Sequence, residues 1–223
     1  MKKSGIFISG TDTGVGKTVV SALIVAAGNA QGYNAGYFKP VQTGSDGSAG
    51  DTETVESLTG IKSMNPVYEF RKPAAPSVAA HAEGASIDLG NISYKWDELS
   101  PGRWVVEGAG GLLTPLTNTA TMRDLVRILN LPLVVVASTR LGMINHTLLT
   151  LEAAARDSLR IAGVILTGWQ DPHDQDGAIK ALSDFTQVPV LAHIPVMEIN
   201  QLSVAKYAKE YFPKQILEVM FEQ

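Results

Sequence analysis

The run Gly10-Thr11-Asp12-Thr13-Gly14-Val15-Gly16-Lys17-Thr18 stands directly after a short apolar segment, Gly5–Ser9, and directly before a stretch of helical spacing that opens at Lys17. A strand, a glycine-rich turn and a helix in that order leave few options. Glycines let successive backbone N–H groups converge on phosphate oxygens, and the positive end of the following helix adds to the field. Lys17 would reach the β- and γ-phosphates while the Thr18 hydroxyl ligates magnesium. A turn that merely joined strand to helix would need neither residue. The loop is a variant, because five residues separate Gly10 from Gly16 and Thr11 falls where the first glycine usually stands. Thr13, Gly14, Val15, Gly16, Lys17, Thr18 and Val19 are therefore the expected nucleotide-binding stretch.

Further short apolar runs rich in β-branched residues follow at Ala35–Val41, Trp104–Glu107, Leu133–Ser138, Ala162–Thr167 and Pro189–Ile194, and these read as buried strands. Helical spacing lies between them at Lys17–Asn29, Thr121–Leu129, His146–Ser158 and Asp176–Phe185. Such alternation predicts an α/β fold of three layers, with a central, mainly parallel sheet covered by helices on both faces. From Gln42 to Gly102, glycines, prolines and small polar residues interrupt the pattern. Only Asp51–Leu58 and Ser77–Ala82 look helical there, so the stretch reads as an elaborated crossover carrying functional loops. Val204–Phe212 and Pro213–Phe221 look like two closing helices split by a proline.

With 223 residues, of which 45% are hydrophobic, the chain fits a single domain over residues 1–223. A net charge of −4 without any long Lys/Arg cluster argues against nucleic acid and anionic membrane as partners. The sequence has no cysteine, which removes disulfides, thiolate catalysis and cysteine-bound metal. The apolar stretch after Met1-Lys2-Lys3 is too short for a signal peptide and no segment is apolar enough to span a bilayer, so a cytoplasmic location is expected.

Three further residues carry chemistry. Lys39 stands at the end of the second expected strand, where open parallel sheets bind ligands, and either holds developing negative charge or snorkels to the surface. Glu107 ends the run Trp104-Val105-Val106 and precedes Gly108-Ala109-Gly110-Gly111. A carboxylate facing bound phosphates is a usual partner of Mg²⁺, and the glycines would let amides approach an anion. A solvated acid at an ordinary strand end is the alternative. Asp51, taken by itself, reads as a helix N-cap.

Four motifs coincide along the chain: Gly10–Thr18, Lys39-Pro40-Val41-Gln42-Thr43-Gly44, Glu107–Gly111, and Leu141-Gly142-Met143-Ile144-Asn145-His146. Together, and in this order through about residue 195, they resemble the dethiobiotin synthetase family. The resemblance implies a P-loop NTPase-like α/β fold, usually a homodimer. It implies a ligase that closes the ureido ring of dethiobiotin from 7,8-diaminononanoate and CO₂ or bicarbonate, with ATP and Mg²⁺. Carried over by motif, Thr18, Asp51 and Glu107 would hold the metal. Lys17 and Lys39 would neutralise the carbamate and the transferring phosphoryl group, with Thr13 and Thr43 as hydroxyl donors. Lys39, Thr43, Gly110, Gly111, Leu141, Gly142 and Asn145 would meet the substrate, the last three often across the dimer interface. Glu107, Gly108, Gly168, Trp169, Pro195, Val196 and Glu198 would complete the nucleotide site. For His146 a structural place at the helix start stands beside any catalytic one.

Two departures accompany the resemblance. Many members have a glutamate where Gly14 stands. Many also place an Asn-Asp pair after the strand Ala162–Thr167, where this chain has Gly168-Trp169-Gln170-Asp171-Pro172, and that asparagine reads the adenine edge. A glycine offers no side-chain bonds that discriminate bases, so weak selectivity among triphosphates is expected. A rival is the nucleotide-driven switch of partitioning and septum-site ATPases, which carry a lysine five residues before the loop lysine. Asp12 stands there instead. An amide ligase of cofactor biosynthesis would carry a fused glutaminase domain with a catalytic cysteine.

Overall fold

The computed structural model describes residues 3–47, 49–169 and 173–221, and for residues 173–176 the backbone alone. In chain order the elements are β1 (Ser4–Gly10), α1 (Lys17–Ala30), β2 (Ala35–Phe38), β3 (Val41–Thr43), α2 (Asp51–Thr59), β4 (Tyr68–Phe70), α3 (Pro76–Ala82), α4 (Leu89–Glu98) and β5 (Arg103–Gly111). After these come α5 (Met122–Leu129), β6 (Leu133–Ser138), α6 (Met143–Arg156), β7 (Ile161–Trp169), α7 (His173–Phe185), β8 (Val190–Pro195), α8 (Gln201–Tyr211) and α9 (Lys214–Phe221).

Six strands form one sheet in the order β2-β5-β1-β6-β7-β8, and every pairing is parallel. Parallel strands need crossovers, which here bury both faces of the sheet. Ile6 and Ile8 of β1 point to one face, where Val20, Leu23 and Ile24 of α1 pack with Val55 of α2, Val204 of α8 and Leu217 of α9. Phe7 points to the other face and joins Ile92, Trp96, Leu125, Leu151 and Leu182 from α4 to α7. Two apolar layers around one sheet give the expected three-layer P-loop fold. Among the described residues, no helix is long and apolar enough to cross a membrane.

The structure corrects several expected boundaries. The second strand does not run through to Val41: β2 stops at Phe38, and Val41–Thr43 pairs with Tyr68–Phe70 in a separate two-stranded sheet. Pro40 supplies the reason, since it has no N–H to continue a ladder. β5 runs four residues past Glu107 to Gly111, so Glu107 lies inside a strand beside Ile8 rather than at a strand end. α4 was not anticipated, because Gly90, Asn91, Ser93, Lys95 and Asp97 hide its pattern. Ile92 and Trp96, one turn apart, are its buried face, and the Asp88 carboxylate caps it by accepting from the Gly90 N–H at 2.7 Å. Gln170–Pro172, which follow β7, lie outside the described residues.

Candidate active site

Strand order places the chemistry. β5 is flanked by β2 and β1, so the chain leaving β2, the middle of β5 and the loop leaving β1 meet on the side of the sheet toward which β2 and β1 end. Phe38 is level with Val106, and Ile8 with Glu107, which brings Lys39, Glu107 and the Gly10–Thr18 loop side by side.

The loop is anchored from beneath. The Thr11 N–H donates to the Val136 carbonyl at 2.9 Å, and the Thr167 hydroxyl donates to the Val15 carbonyl at 2.7 Å. Val15 is buried in the core, while Thr13 and Gly14 face outward. Gly14 and Gly16 adopt left-handed backbone conformations, with φ of 71° and 89°, which a side chain would strain. Lys17 folds back so that its ammonium donates to the Asp12 carbonyl at 3.2 Å, and the Asp12 carboxylate accepts from the Thr13 N–H.

Behind the loop lies a charge cluster. The Lys39 ammonium sits 2.7 Å from Asp51 Oδ2 and 3.1 Å from Glu107 Oε1. Lys39 is 3% exposed and Glu107 1%, so Lys39 does not snorkel and Glu107 is not a solvated acid. The Thr18 hydroxyl lies 2.6 Å from Asp51 Oδ1 and 3.2 Å from Glu107 Oε1. Asp51 is not the cap of α2: that position belongs to Gly50, and Asp51 begins the helix with its carboxylate turned to Lys39 and Thr18. One hydroxyl and two carboxylates thus bring three oxygen centres together. They suit a hard divalent ion that prefers oxygen ligands and keeps waters and phosphate oxygens for its remaining positions. No group of three or more His, Asp or Glu forms a metal cage among the described residues.

Burial pushes the Lys17 ammonium below the ordinary lysine pKa, and the like charge of Lys39 acts in the same direction. Burial also opposes charge on Lys39, but Glu107 and Asp51 outweigh it and hold its pKa above the ordinary value. For Asp51, burial is outweighed by Lys39, and the pKa is lowered. A carboxylate whose pKa is lower in the folded state contributes stability above its unfolded value, and loses that contribution as pH falls through the folded one. Urea unfolding between about pH 7 and about pH 3 is therefore expected to show a steeper acid loss for the wild type than for Asp51→Asn. Equal losses would uncouple Asp51 from Lys39.

Two cavities meet across the loop. One, about 710 Å³, is lined by Thr13, Lys17, Thr18, Lys39, Thr43, Asp51, Glu107 and Gly110, together with Pro73–Pro76. The other, about 760 Å³, lies over the ends of β6, β7 and β8 and is lined by Ser138, Thr139, Arg140, Gly168, Trp169, Pro195 and Val196. Gly14, Gly16 and Val19 line both. A nucleotide can lie across the loop, its base in the second cavity and its phosphates reaching into the first.

Comparison with known proteins bears on this geometry. A family model described as an AAA domain matches residues 4–201. The chain is 44% identical to the ATP-dependent dethiobiotin synthetase BioD of Anaeromyxobacter dehalogenans, over 75% of this chain and 78% of that protein. It is 36% identical to the protein of the same name from Bacillus thuringiensis, over 93% of this chain and 90% of that one. The chain belongs to the dethiobiotin synthetase family. It is also 41% identical to the biotin biosynthesis bifunctional protein BioCD of Bordetella avium, over 89% of this chain but 41% of that longer protein. Among solved structures, the septum site-determining protein MinD of Pyrococcus horikoshii complexed with Mg-ADP superposes with a TM-score of 0.55 at 15% identity, covering 98% of this chain and 94% of that one. The MinC:MinD cell division complex of Aquifex aeolicus gives 0.59 at 13% identity, covering 97% of this chain and 93% of that one. These two establish likeness of fold alone.

Not every residue expected from the dethiobiotin synthetase motifs joins the two cavities. Gly108 is a packing glycine in β5: a Cβ there would sit 2.8 Å from the Phe7 ring, while its carbonyl lies 3.4 Å from the Lys39 ammonium. Gly111 lines a separate hollow with Thr11, Asp12 and Thr13. Glu198 is exposed and does not line the second cavity, its carbonyl accepting from Ser203. Leu141, Gly142 and Asn145 are exposed at the start of α6 and do not line the cavity that holds the cluster, though Leu141 borders a small hollow beside Thr11 and Asp12. The motifs gave no sign of Ser21 and Tyr37, which both donate to Glu107, or of Ser138–Arg140 at the end of β6. For the latter, the place of β6 beside β1 is the signal that strand order supplies.

Proposed function

We propose that this chain is an ATP-dependent dethiobiotin synthetase: a cyclo-ligase of biotin biosynthesis that closes a ureido ring from 7,8-diaminononanoate and CO₂ at the expense of a nucleoside triphosphate. The observation that carries the reading is the buried Lys39 ammonium between Asp51 and Glu107, at the floor of the cavity into which the phosphate loop opens. In the proposed reaction one amine captures CO₂ as a carbamate. The γ-phosphoryl group passes to the carbamate oxygen, and the second amine attacks the carbamate carbon and expels phosphate. Both the carbamate and the transferring phosphoryl group are anions, so catalysis calls for fixed cations more than for a protein nucleophile. Lys17 and Lys39 supply them, and Thr13 and Thr43 add hydroxyl donors at the rim.

Thr18, Asp51 and Glu107 are proposed to hold Mg²⁺, which when bound neutralises phosphate charge. Their three convergent oxygens support that assignment. Leu141, Gly142 and Asn145 are proposed to serve the substrate's carboxylate in a homodimer, because they lie exposed and away from their own chain's cluster. A switch ATPase of the septum-site type shares the fold, but Asp12 in place of that group's lysine and the similarity to dethiobiotin synthetases both favour the ligase.

Triphosphate consumption is expected only when diamine and bicarbonate are both present, measured as phosphate release alongside dethiobiotin formation. Rapid hydrolysis without the diamine would overturn the reading. Run with ATP, CTP and GTP in competition, the same assay is expected to show weak preference. Gly168 in the wall of the second cavity has no side chain to read a base, and its φ of 82° is one that favours glycine. Strict ATP selectivity would assign base reading to another wall residue, such as Thr139 or Arg140.

A further inference from the structure

Four donors converge on the buried Glu107 carboxylate, and they divide between its two oxygens. Oε1 faces the Lys39 ammonium at 3.1 Å and the Thr18 hydroxyl at 3.2 Å, on the side of the phosphate cavity. Oε2 accepts from the Ser21 hydroxyl at 2.8 Å and from the Tyr37 hydroxyl at 3.0 Å, on the side of the core. Tyr37 is 1% exposed, on β2, and its hydroxyl makes no other described hydrogen bond. An ionised carboxylate only accepts, and its two oxygens exchange places when it turns about its own axis. Two neutral hydroxyls on Oε2 break that equivalence and leave Oε1 as the oxygen presented to the cavity.

We propose that Tyr37, assisted by Ser21, is a positioning residue: its hydroxyl fixes the Glu107 carboxylate so that Oε1 is aimed at Thr18 and at the divalent ion that site would hold. The inference rests on the metal-assisted phosphoryl-transfer reading above, but not on the identity of the acceptor amine. Groups behind a metal-ligating carboxylate typically change metal affinity or activity by 10–100-fold when removed. Tyr37→Phe keeps the ring that fills the core and removes only the hydroxyl.

The test has two arms. In the first, Mn²⁺ is titrated into full-length protein loaded with a non-hydrolysable ATP analogue, without diamine, and followed by electron paramagnetic resonance. Tyr37→Phe is expected to weaken Mn²⁺ binding about 10-fold, and Ser21→Ala to act in the same direction. In the second arm, Tyr37→Phe is expected to raise the Mg²⁺ concentration needed for half-maximal turnover by a similar factor, with the nucleotide KM at saturating metal moved less than about 3-fold. Unchanged Mn²⁺ affinity in a folded Tyr37→Phe protein would overturn the proposal and leave Tyr37 as packing. Weakened Mn²⁺ binding in a protein that never makes dethiobiotin would sink the ligase reading and keep this one.

Discussion

Lys39→Ala is expected to lower turnover by about 10²–10³-fold, the usual effect of deleting one preorganised group that stabilises developing charge. Alanine removes the cation between Asp51 and Glu107 but leaves the Glu107 carboxylate the Ser21 and Tyr37 hydroxyls as donors, with the Thr18 proton shared with Asp51. The stability cost is that of breaking a buried ion pair by removing one partner, about 3–5 kcal/mol, with the remaining hydroxyl donors offsetting part of it. The measurement is kcat under saturating substrates, beside a urea unfolding curve and nucleotide affinity. A fall in kcat with a modest change in nucleotide affinity would place Lys39 in the transition state rather than in ground-state binding. Turnover within a few-fold of wild type would remove it from the mechanism.

Glu107→Ala is expected to lower stability at least as strongly, and it also removes one of the three oxygens proposed to hold the metal. It strips the 3%-exposed Lys39 of one of its two carboxylates and leaves the Ser21 and Tyr37 hydroxyls without their acceptor. Breaking a buried ion pair by removing one partner typically costs about 3–5 kcal/mol. For a chain of this size that corresponds to a fall in melting temperature of roughly 6–20 °C. Glu107→Gln keeps an oxygen acceptor for the two hydroxyls and should recover part of the loss without restoring the charge. Calorimetry of the two variants gives the comparison. A Glu107→Ala protein that melts with the wild type would mean that the carboxylate is not buried as described.

Much of the fold could be read along the chain, because parallel strands in α/β proteins are continuous apolar runs and their crossover helices keep a regular period. β1, β6 and β7 followed that rule closely. The stretch between Gln42 and Gly102 did not, for physical reasons that differ from one element to the next. β3 and β4 have three residues each, too few to show any alternation. α4 buries only Ile92 and Trp96, with Leu89 packed at the margin of the core, and most of its other positions are polar. The end of β2 was misplaced because Tyr37–Val41 reads as one apolar run, although Pro40 breaks the ladder within it.

Read from the residues, the phosphate loop was determined by its own string, since glycines and a lysine-threonine pair at a helix start act through local geometry. The rest of the site was not local. Whether Lys39 snorkels or is buried, and whether Asp51 caps its helix or turns to a cation, depends on which strands become neighbours. That was decided when β5 settled between β2 and β1. Tyr37 and Ser21 show the same limit: each is an ordinary residue of a strand or helix until the fold sets it against Glu107, 70 and 86 positions away. Sequence fixes what a side chain can donate or accept, and only the packed sheet determines which partner lies within 3 Å of it.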